Sequence, residues 1–177
     1  MEQPQLTSER LLLRPLTLFD APQIQQMASD KRVAEMTASI PHPYPETGAV
    51  DWISEHESKW QQREQASFGV ILKSSEKVVG CVGLILKGDK EADLGYWIGV
   101  DYWGKGYATE SAKCIVAFGF DGLGLSKILA RRLSRNPASG NVLFKAGFAH
   151  MGTSEDSCGS KFESLDYYEI RAESSAL

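Results

Sequence analysis

Three strand-like segments follow one another between residues 67 and 100, with only short turns between them. They read SFGVILK (67–73), KVVGCVGLILK (77–87) and EADLGYWIGV (91–100), and each is rich in β-branched or aromatic residues. Turns this short join antiparallel neighbours, because a parallel pair needs a crossover of about a dozen residues or more. The pattern therefore predicts an antiparallel meander at the centre of the chain.

Helical and strand-like segments surround this meander. RLLLRPL (10–16) predicts a strand that Pro15 closes, and the proline-rich stretch 37–48 predicts an ordered loop. Further helices are predicted over 21–29, 49–65, 107–119 and 137–146, and further strands over 126–134, 148–155 and 162–173. The order βααβββαβαββ predicts an α+β fold. We expect a mixed, mostly antiparallel sheet of about seven strands with helices on both faces, in one domain spanning residues 1–177.

Composition excludes several classes of partner. The net charge is −4 with no basic block, which argues against a nucleic-acid binder. No apolar run is long enough to cross a bilayer, so no membrane partner is expected. The N-terminus lacks the pattern of a signal peptide. Cys81, Cys114 and Cys158 are far apart and form no C-x-x-C pair, which is typical of reduced thiols in a cytoplasmic protein. The three histidines show no metal-ligand spacing, so no metal is expected.

The stretch YWGKGYATE (102–110) places a glycine pair between the last strand of the meander and the next helix. Gly104 and Gly106 could simply allow a tight connection, because glycine tolerates positive φ. They could equally form a phosphate cradle, since the first N–H groups of a helix lack intrahelical acceptors. A Walker loop and a complete Rossmann fingerprint are both missing here. Of the phosphate-binding arrangements, a phosphate cradle in a mixed sheet is the one that remains.

Four stretches together resemble one protein family. WGKGYATE resembles the pyrophosphate-binding motif of the GNAT N-acetyltransferases, [QR]-x-x-G-x-[GA], with Trp103, Gly106 and Ala108 at its pattern positions. Trp103 stands where glutamine or arginine is usual, in a form common in the ribosomal-protein (Rim-type) branch. TSERLLLRPLTLFDA, IPHPYP and NPASGNVLFKAGF resemble the same branch. The resemblance covers nearly the whole chain and implies the GNAT fold.

The resemblance implies acetyl-CoA as co-substrate. It places backbone amides from Gly104 to Thr109 around the pyrophosphate, while the Lys105 side chain could reach a phosphate or point to solvent. It also implies that the preceding strand splays from its neighbour and pairs with the pantetheine arm through Ile98 and Val100. The implied donor-binding residues are Tyr96, Ile98, Val100, Trp103, Gly104, Lys105, Gly106, Tyr107, Ala108, Thr109, Asn136 and Ser139.

The chemistry of acetyl transfer assigns further roles. A backbone N–H near Tyr96 to Ile98 is the implied oxyanion donor, which is often the largest catalytic contribution. Leu143 stands where many relatives carry a tyrosine acid, so that tyrosine is absent. The resemblance then implies Ser139 as the proton donor to the leaving thiolate and Asn136 as a contact of the pantetheine arm. Both residues could instead serve only to start a helix, with Asn136 as its N-cap.

The acceptor is expected to be a primary amine. A protein N-terminal amine leads, small amines such as polyamines, amino sugars or antibiotics follow, and a CoA-binding sensor without catalysis is the alternative from another class. Glu55, Glu57 and Glu64 are candidate bases, although water could suffice because an α-amine is partly neutral at pH 7. Homodimers are common in the branch, so the resemblance allows a homodimer by analogy, while the sequence itself does not give the oligomeric state. The aromatic residues that could line the acceptor site are Tyr44, Trp52, Tyr167 and Tyr168.

Overall fold

The computed structural model describes residues 2–158 and 161–173. Its centre is an eight-stranded sheet with the spatial order β1-β2-β3-β4-β5-β6-β8-β7. The strands are β1 (Leu6–Thr7), β2 (Leu11–Arg14), β3 (Gln65–Leu72), β4 (Val78–Lys87), β5 (Glu91–Ile98), β6 (Lys127–Leu133), β7 (Ala149–Cys158) and β8 (Lys161–Arg171).

The predicted meander is confirmed, since β3, β4 and β5 pair in sequence and antiparallel. Among the strands that the structure describes, only β5 and β6 pair in parallel, so the sheet is mixed and mostly antiparallel as predicted. The count is eight strands rather than about seven, because Leu6–Thr7 pairs with Leu12 and Leu13 at the sheet edge. A strand of two residues is too short to show the alternation of apolar and polar side chains in its sequence, so this strand is revealed by its pairing alone.

The helices are α1 (Ala21–Ala28), α2 (Lys31–Met36), α3 (Gly48–Ser54), α4 (His56–Gln61), α5 (Tyr107–Ala117) and α6 (Pro137–Lys145). One helix was missed and one helical prediction was wrong. Helix α2 was not predicted, and the helix expected over 49–65 is two shorter helices followed by β3. The Glu55 N–H bonds the Trp52 carbonyl, which tightens the turn between α3 and α4. Arg63 then adopts a left-handed φ of 56°, which ends the helical path before Gln65.

Helices cover both faces of the sheet, as predicted. Alternate residues of a strand point to opposite faces, and β4 shows this directly. Val82 packs with Ile115 of α5 and Leu143 of α6 in the larger core cluster. Cys81 packs on the other face with Ile24 of α1 and with α3. Within the described residues Cys81 and Cys114 are free thiols, whereas the side chain of Cys158 lies outside them.

Candidate functional site

The sheet opens between β5 and β6. Their parallel ladder runs from Glu91–Lys127 to Leu94–Ala130 and then stops. Beyond that point β5 continues on β4 as far as the pair Gly80–Ile98, while β6 continues on β8. The two strands therefore splay apart after Leu94, as the resemblance implied, and leave a gap in the middle of the sheet.

Backbone groups of β5 face this gap. The Gly99 N–H donates to the Val79 carbonyl on β4. Because hydrogen-bonding direction alternates along an antiparallel strand, the backbone groups of Tyr96 and Ile98 point the other way, into the gap. The indole Nε1 of Trp103 donates to the Ile98 carbonyl at 2.7 Å. The N–H groups of Tyr96 and Ile98 and the Tyr96 carbonyl are thus presented to anything that enters.

Strand β5 ends at Ile98, two residues earlier than predicted. Val100 lies in a 3₁₀ turn, Val100–Tyr102, and its carbonyl accepts the Trp103 N–H. The chain turns here because Gly99 makes the last bond to β4. A pantetheine contact through Val100 stays a prediction, but that contact would not be made by a strand.

The glycine pair forms a concave turn at the start of α5. Gly104 and Gly106 have φ of 72° and 81°, a region that L side chains rarely adopt. Gly106 is the N-cap, so no side chain caps the helix. The first helical bond runs from the Glu110 N–H to the Gly106 carbonyl, which leaves the N–H groups of residues 107–109 without intrahelical acceptors. This exposed end, with its partial positive charge, suits a pyrophosphate.

The N-terminal part of the chain anchors the turn. The Arg10 guanidinium lies 2.7 Å from the Glu110 carboxylate and also donates to the Lys105 carbonyl. Burial raises the pKa of Glu110, but hydrogen bonds from Arg10 and Ser8 outweigh it and hold that pKa below its usual value. The Lys105 ammonium bonds the Asp101 carbonyl at 3.0 Å. The structure shows neither of the two orientations considered for Lys105, since its side chain is folded back on its own loop.

A buried phenol meets the serine that follows the gap. The Tyr96 hydroxyl lies 2.6 Å from Ser139 Oγ and 3.1 Å from the Ser139 carbonyl oxygen. Burial is the main cause that raises the pKa of Tyr96 to about 12, although the hydrogen bond to Ser139 opposes it. Tyr96 is therefore neutral at every working pH. The structure thus brings together two sequence-predicted site residues that are 43 positions apart.

Asn136 is the N-cap of α6, and both ends of its amide are engaged. Its Oδ1 accepts the Ser139 N–H at 3.3 Å, and its Nδ2 donates to the Met36 carbonyl at 3.2 Å. The side chain therefore fixes the start of α6 and ties it to the C-terminus of α2. A contact with the pantetheine arm stays a prediction.

A cleft of about 570 Å³ leads to the gap from the face covered by α1 and α3. One wall is the segment from Met36 to Gly48, and the floor is the sheet around Gly83 and Gly95. A methyl group at Gly95 would meet nothing within 4 Å, so the floor is open there. Both Tyr96 and Ser139 line this cleft. Donor gap and cleft therefore meet at the hydroxyl pair.

Two of the four expected acceptor-site aromatics line the cleft, namely Tyr44 and Trp52. Tyr168 is buried in the larger core cluster, where its hydroxyl accepts from Arg132. Tyr167 instead donates to Asp156 on β7. Tyr168 and Tyr167 thus bond to residues of β6 and β7, and neither tyrosine lines the cleft.

The three glutamates considered as bases do not line the cleft. Glu55 forms an ion pair with Lys59 at 2.6 Å on an exposed helix face, and the hydrogen bond from Lys59 lowers its pKa. Glu57 and Glu64 are exposed. None of the three is positioned to take a proton from an amine at the gap.

Sequence reasoning missed several cleft residues. Asp93, Trp97 and Arg131 line it, and Asp93 is ion-paired with Lys87 at 2.6 Å. Strand alternation could have identified Asp93 and Trp97, because β5 residues two apart share a face. The Tyr96 side chain packs against the larger core cluster, so Asp93 and Trp97 lie on the opposite face of β5, where the cleft is.

Two absences apply to the residues that the structure describes. Their His, Cys, Asp and Glu side chains form no group of three that could hold a metal ion. None of their helices combines the length and the apolar character that a bilayer span needs.

Comparison with known proteins agrees with this geometry. The family model described as Acetyltransferase (GNAT) domain matches residues 10–149. An uncharacterised N-acetyltransferase, p20, of Bacillus licheniformis is 30% identical over 165 residues, which cover 92% of each chain.

Solved structures share the fold. A putative ribosomal-protein-serine acetyltransferase from Vibrio cholerae has a TM-score of 0.82 at 21% identity, covering 95% of this chain and 97% of that one. A spermidine N-acetyltransferase from Vibrio cholerae, in complex with CoA and spermine, has a TM-score of 0.78 at 18% identity, covering 93% and 96%.

Proposed function

The chain belongs to the GNAT family of N-acetyltransferases, and we propose that it transfers the acetyl group of acetyl-CoA directly to a protein N-terminal amine. The observation that carries the proposal is the junction of three features: an open strand edge, an uncapped helix start and a cleft that ends at both. The first two would hold the donor, and the cleft would admit the amine.

The residues present fit acetyl-CoA. The uncapped N–H groups of residues 107–109 would bind the pyrophosphate, and no side chain of Gly104 or Gly106 stands in its way. The backbone of Tyr96 and Ile98 would pair with the pantetheine arm as an added strand would. Acetyl-CoA supplies a thioester that the amine attacks and a thiol that leaves.

The chain's own groups then act on the reacting atoms. A backbone N–H of Tyr96 or Ile98, fixed by the β4–β5 ladder, would donate to the developing oxyanion, where a preorganised dipole is most effective. Ser139 would donate to the departing sulfur. A thiol of pKa about 8.5 needs little help to leave, so a hydroxyl is sufficient. Water in the open cleft would take the proton of the amine.

Charge in the cleft supports an acceptor with a single amine. Asp93 is the one acidic residue among the cleft-lining residues that the structure describes, and Lys87 already neutralises it. A polyamine carries several cations and would need several unpaired carboxylates. The fold shared with a putative ribosomal-protein-serine acetyltransferase from Vibrio cholerae is in keeping with a protein acceptor.

An amine panel tests the proposal. Release of CoA from acetyl-CoA would be measured with peptides that bear free N-termini, the same peptides with blocked N-termini, lysine side chains, spermidine and amino sugars. We expect kcat/KM to be highest for free peptide N-termini. Preference for spermidine or an amino sugar would replace the acceptor, and CoA binding without turnover on any amine would contradict catalysis.

Ser139→Ala is expected to lower kcat about 10- to 100-fold while KM for acetyl-CoA changes less than about 2-fold. The reason is that Ser139 would act on the thiol as it leaves and contribute little to holding the donor. Steady-state kinetics on the best peptide of the panel would separate the two parameters. Ser75→Ala, at an exposed serine in the β3–β4 turn, is the matched control. Wild-type kcat in Ser139→Ala would remove the proposed role.

We further propose that residues 1–177 form one acetyltransferase domain acting in the cytoplasm. The family match over residues 10–149 supports the first point, and β8 completes the same sheet beyond it. A homodimer, which the Rim-type resemblance allows by analogy, would be tested by light scattering.

A further inference from the structure

We propose that Tyr96 is a positioning residue. Its phenol donates a hydrogen bond to Ser139 Oγ and so directs the serine hydrogen into the cleft, toward the departing sulfur. This inference rests on the proposed function and names a side-chain role for Tyr96 that its backbone contacts do not require.

The first support is the geometry of the pair. The Tyr96 hydroxyl is within hydrogen-bonding distance of both oxygens of Ser139, at 2.6 Å to Oγ and 3.1 Å to the carbonyl. The shorter distance marks the stronger bond. Both residues also line the cleft.

The second support is that the backbone of Ser139 is already fixed. The Asn136 side chain bonds its N–H, and a methyl group at the next residue, Gly140, would lie only 2.8 Å from Arg132 Nε. The first turn of α6 thus packs closely on the sheet. What remains undetermined is the rotation of the Ser139 hydroxyl, and Tyr96 is the group in contact with it.

The pair has two arrangements, because the phenol has one hydrogen and either oxygen of Ser139 can accept it. If Tyr96 donated to the Ser139 carbonyl, Oγ would donate to the phenol and the serine hydrogen would not be available to the sulfur. If Tyr96 donates to Ser139 Oγ, the serine hydrogen is available to the sulfur. Burial keeps the phenol protonated, since the pKa of Tyr96 is raised to about 12. Negative charge building on sulfur favours the second arrangement, because hydrogen bonds in a chain polarise one another.

This arrangement accounts for a departure from the family pattern. Leu143 occupies the helix position where many relatives carry a tyrosine, and it is 1% exposed in the core. No phenol can reach the donor from that position. Strand β5 instead brings one to the opposite side of Ser139. The phenol acts through the serine and not on the sulfur.

The transfer step balances with these groups. A C–N bond forms between the amine and the acetyl carbon, and the C–S bond breaks with its electron pair on sulfur. The nitrogen loses one proton to a cleft water, Ser139 gives its hydroxyl proton to the sulfur, and that water returns a proton to Ser139 while Tyr96 keeps its own. Ser139 and Tyr96 each end with the hydrogen count with which they began, so no further reactant is needed.

A double-mutant cycle on the full chain tests the inference. We expect Tyr96→Phe to lower kcat about 10-fold, with KM for acetyl-CoA changed less than about 2-fold. In a Ser139→Ala background the same change should alter kcat less than about 2-fold, because the phenol then has no hydroxyl to orient. Thermal unfolding of each variant separates a folding defect from a kinetic one.

Tyr168→Phe is the matched control. It also removes a buried phenol hydroxyl near the start of α6, one that accepts from Arg132 and does not contact Ser139. We expect its kcat to stay near wild type and to combine additively with Ser139→Ala.

Three other outcomes would overturn the inference, and one of them would overturn the proposed function as well. Additive losses from Tyr96→Phe and Ser139→Ala would overturn the inference while leaving the proposed function intact. An unchanged kcat in Tyr96→Phe would do the same. Absence of turnover by the wild type on every amine would overturn the proposed function, and this inference with it.

Discussion

Gly106→Glu is expected to weaken binding of coenzyme A about 100-fold or more, which corresponds to about 2.7 kcal/mol. The new side chain would lie at the start of α5, beside Arg10 Nη2, and its carboxylate would compete with the pyrophosphate for the N–H groups of residues 107–109. It would also repel the phosphates, and like charges in contact cost several kcal/mol. Calorimetric titration with CoA measures the loss.

The control for this variant must share its strain and its charge. Gly88→Glu does so, because Gly88 also has a positive φ, 64°, and lies in the β4–β5 turn. A Cβ at Gly88 would meet nothing within 4 Å, whereas one at Gly106 would meet Arg10 Nη2 at 3.3 Å. A non-glycine residue at such a φ costs about 1–2 kcal/mol at either site. Gly106→Glu should therefore lose at least as much thermal stability as Gly88→Glu, and thermal unfolding of both variants shows whether each is folded when CoA is added. Equal CoA affinity in Gly106→Glu and Gly88→Glu would exclude the cradle.

Acid is expected to destabilise the protein through His56. The imidazole is 5% exposed, and neither nitrogen has a hydrogen-bond partner among the described residues. The ring meets Trp52 edge-on, with 4.3 Å between centroids. Burial is the main cause that lowers the pKa of His56 to about 4, and the positive charge of Lys59 adds to it.

The sign of the pH effect follows from the lowered pKa. The unfolded chain binds a proton near pH 6.5 and the folded chain only near pH 4, so stability is complete above 6.5 and falls as pH drops through this window. The loss should reach about 3 kcal/mol. Denaturant unfolding at pH 7 and pH 4.5 measures most of it.

His56→Phe should remove this contribution. Phenylalanine keeps an aromatic ring against Trp52 but binds no proton, so the variant should exceed wild-type stability at pH 4.5. Other groups, such as carboxylates, titrate alike in both proteins. His42→Ala, at an exposed histidine in the loop after α2, should retain the wild-type profile. Equal losses in wild type and His56→Phe would contradict the assignment.

The central strands of the sheet were predictable because the turns that join them are short. The turns after Lys73 and Lys87 are too short for any pairing but an antiparallel one, so β3, β4 and β5 followed from sequence. Helix α2 did not, because Lys31–Met36 has six residues and too few apolar positions to show a helical period. Its N-cap Asp30, which accepts the Arg32 N–H, was its one local signal.

The site was predictable in its backbone and not in its side-chain contacts. The glycine pair stands next to the helix that it uncaps, so a local motif reports it. The hydrogen bond between Tyr96 and Ser139 depends on where β5 and β6 separate and on the position of α6. No local sequence pattern reports either of these. The glutamates failed as candidate bases because helix α4 turns Glu57 outward and ends before Glu64.

The gap beyond Leu94 and Ala130 has a consequence for the lifetime of the protein. A sheet with an interrupted ladder is incomplete, and a ligand that paired with its open edge, as proposed for acetyl-CoA, would stabilise the folded chain by RT ln(1 + [L]/Kd). At 100 times Kd this is about 2.7 kcal/mol, enough to lower the unfolded fraction about 100-fold. Proteases that act on unfolded chains would then spare the protein when acetyl-CoA is abundant. Its abundance in the cell would follow the supply of the acetyl donor that it consumes.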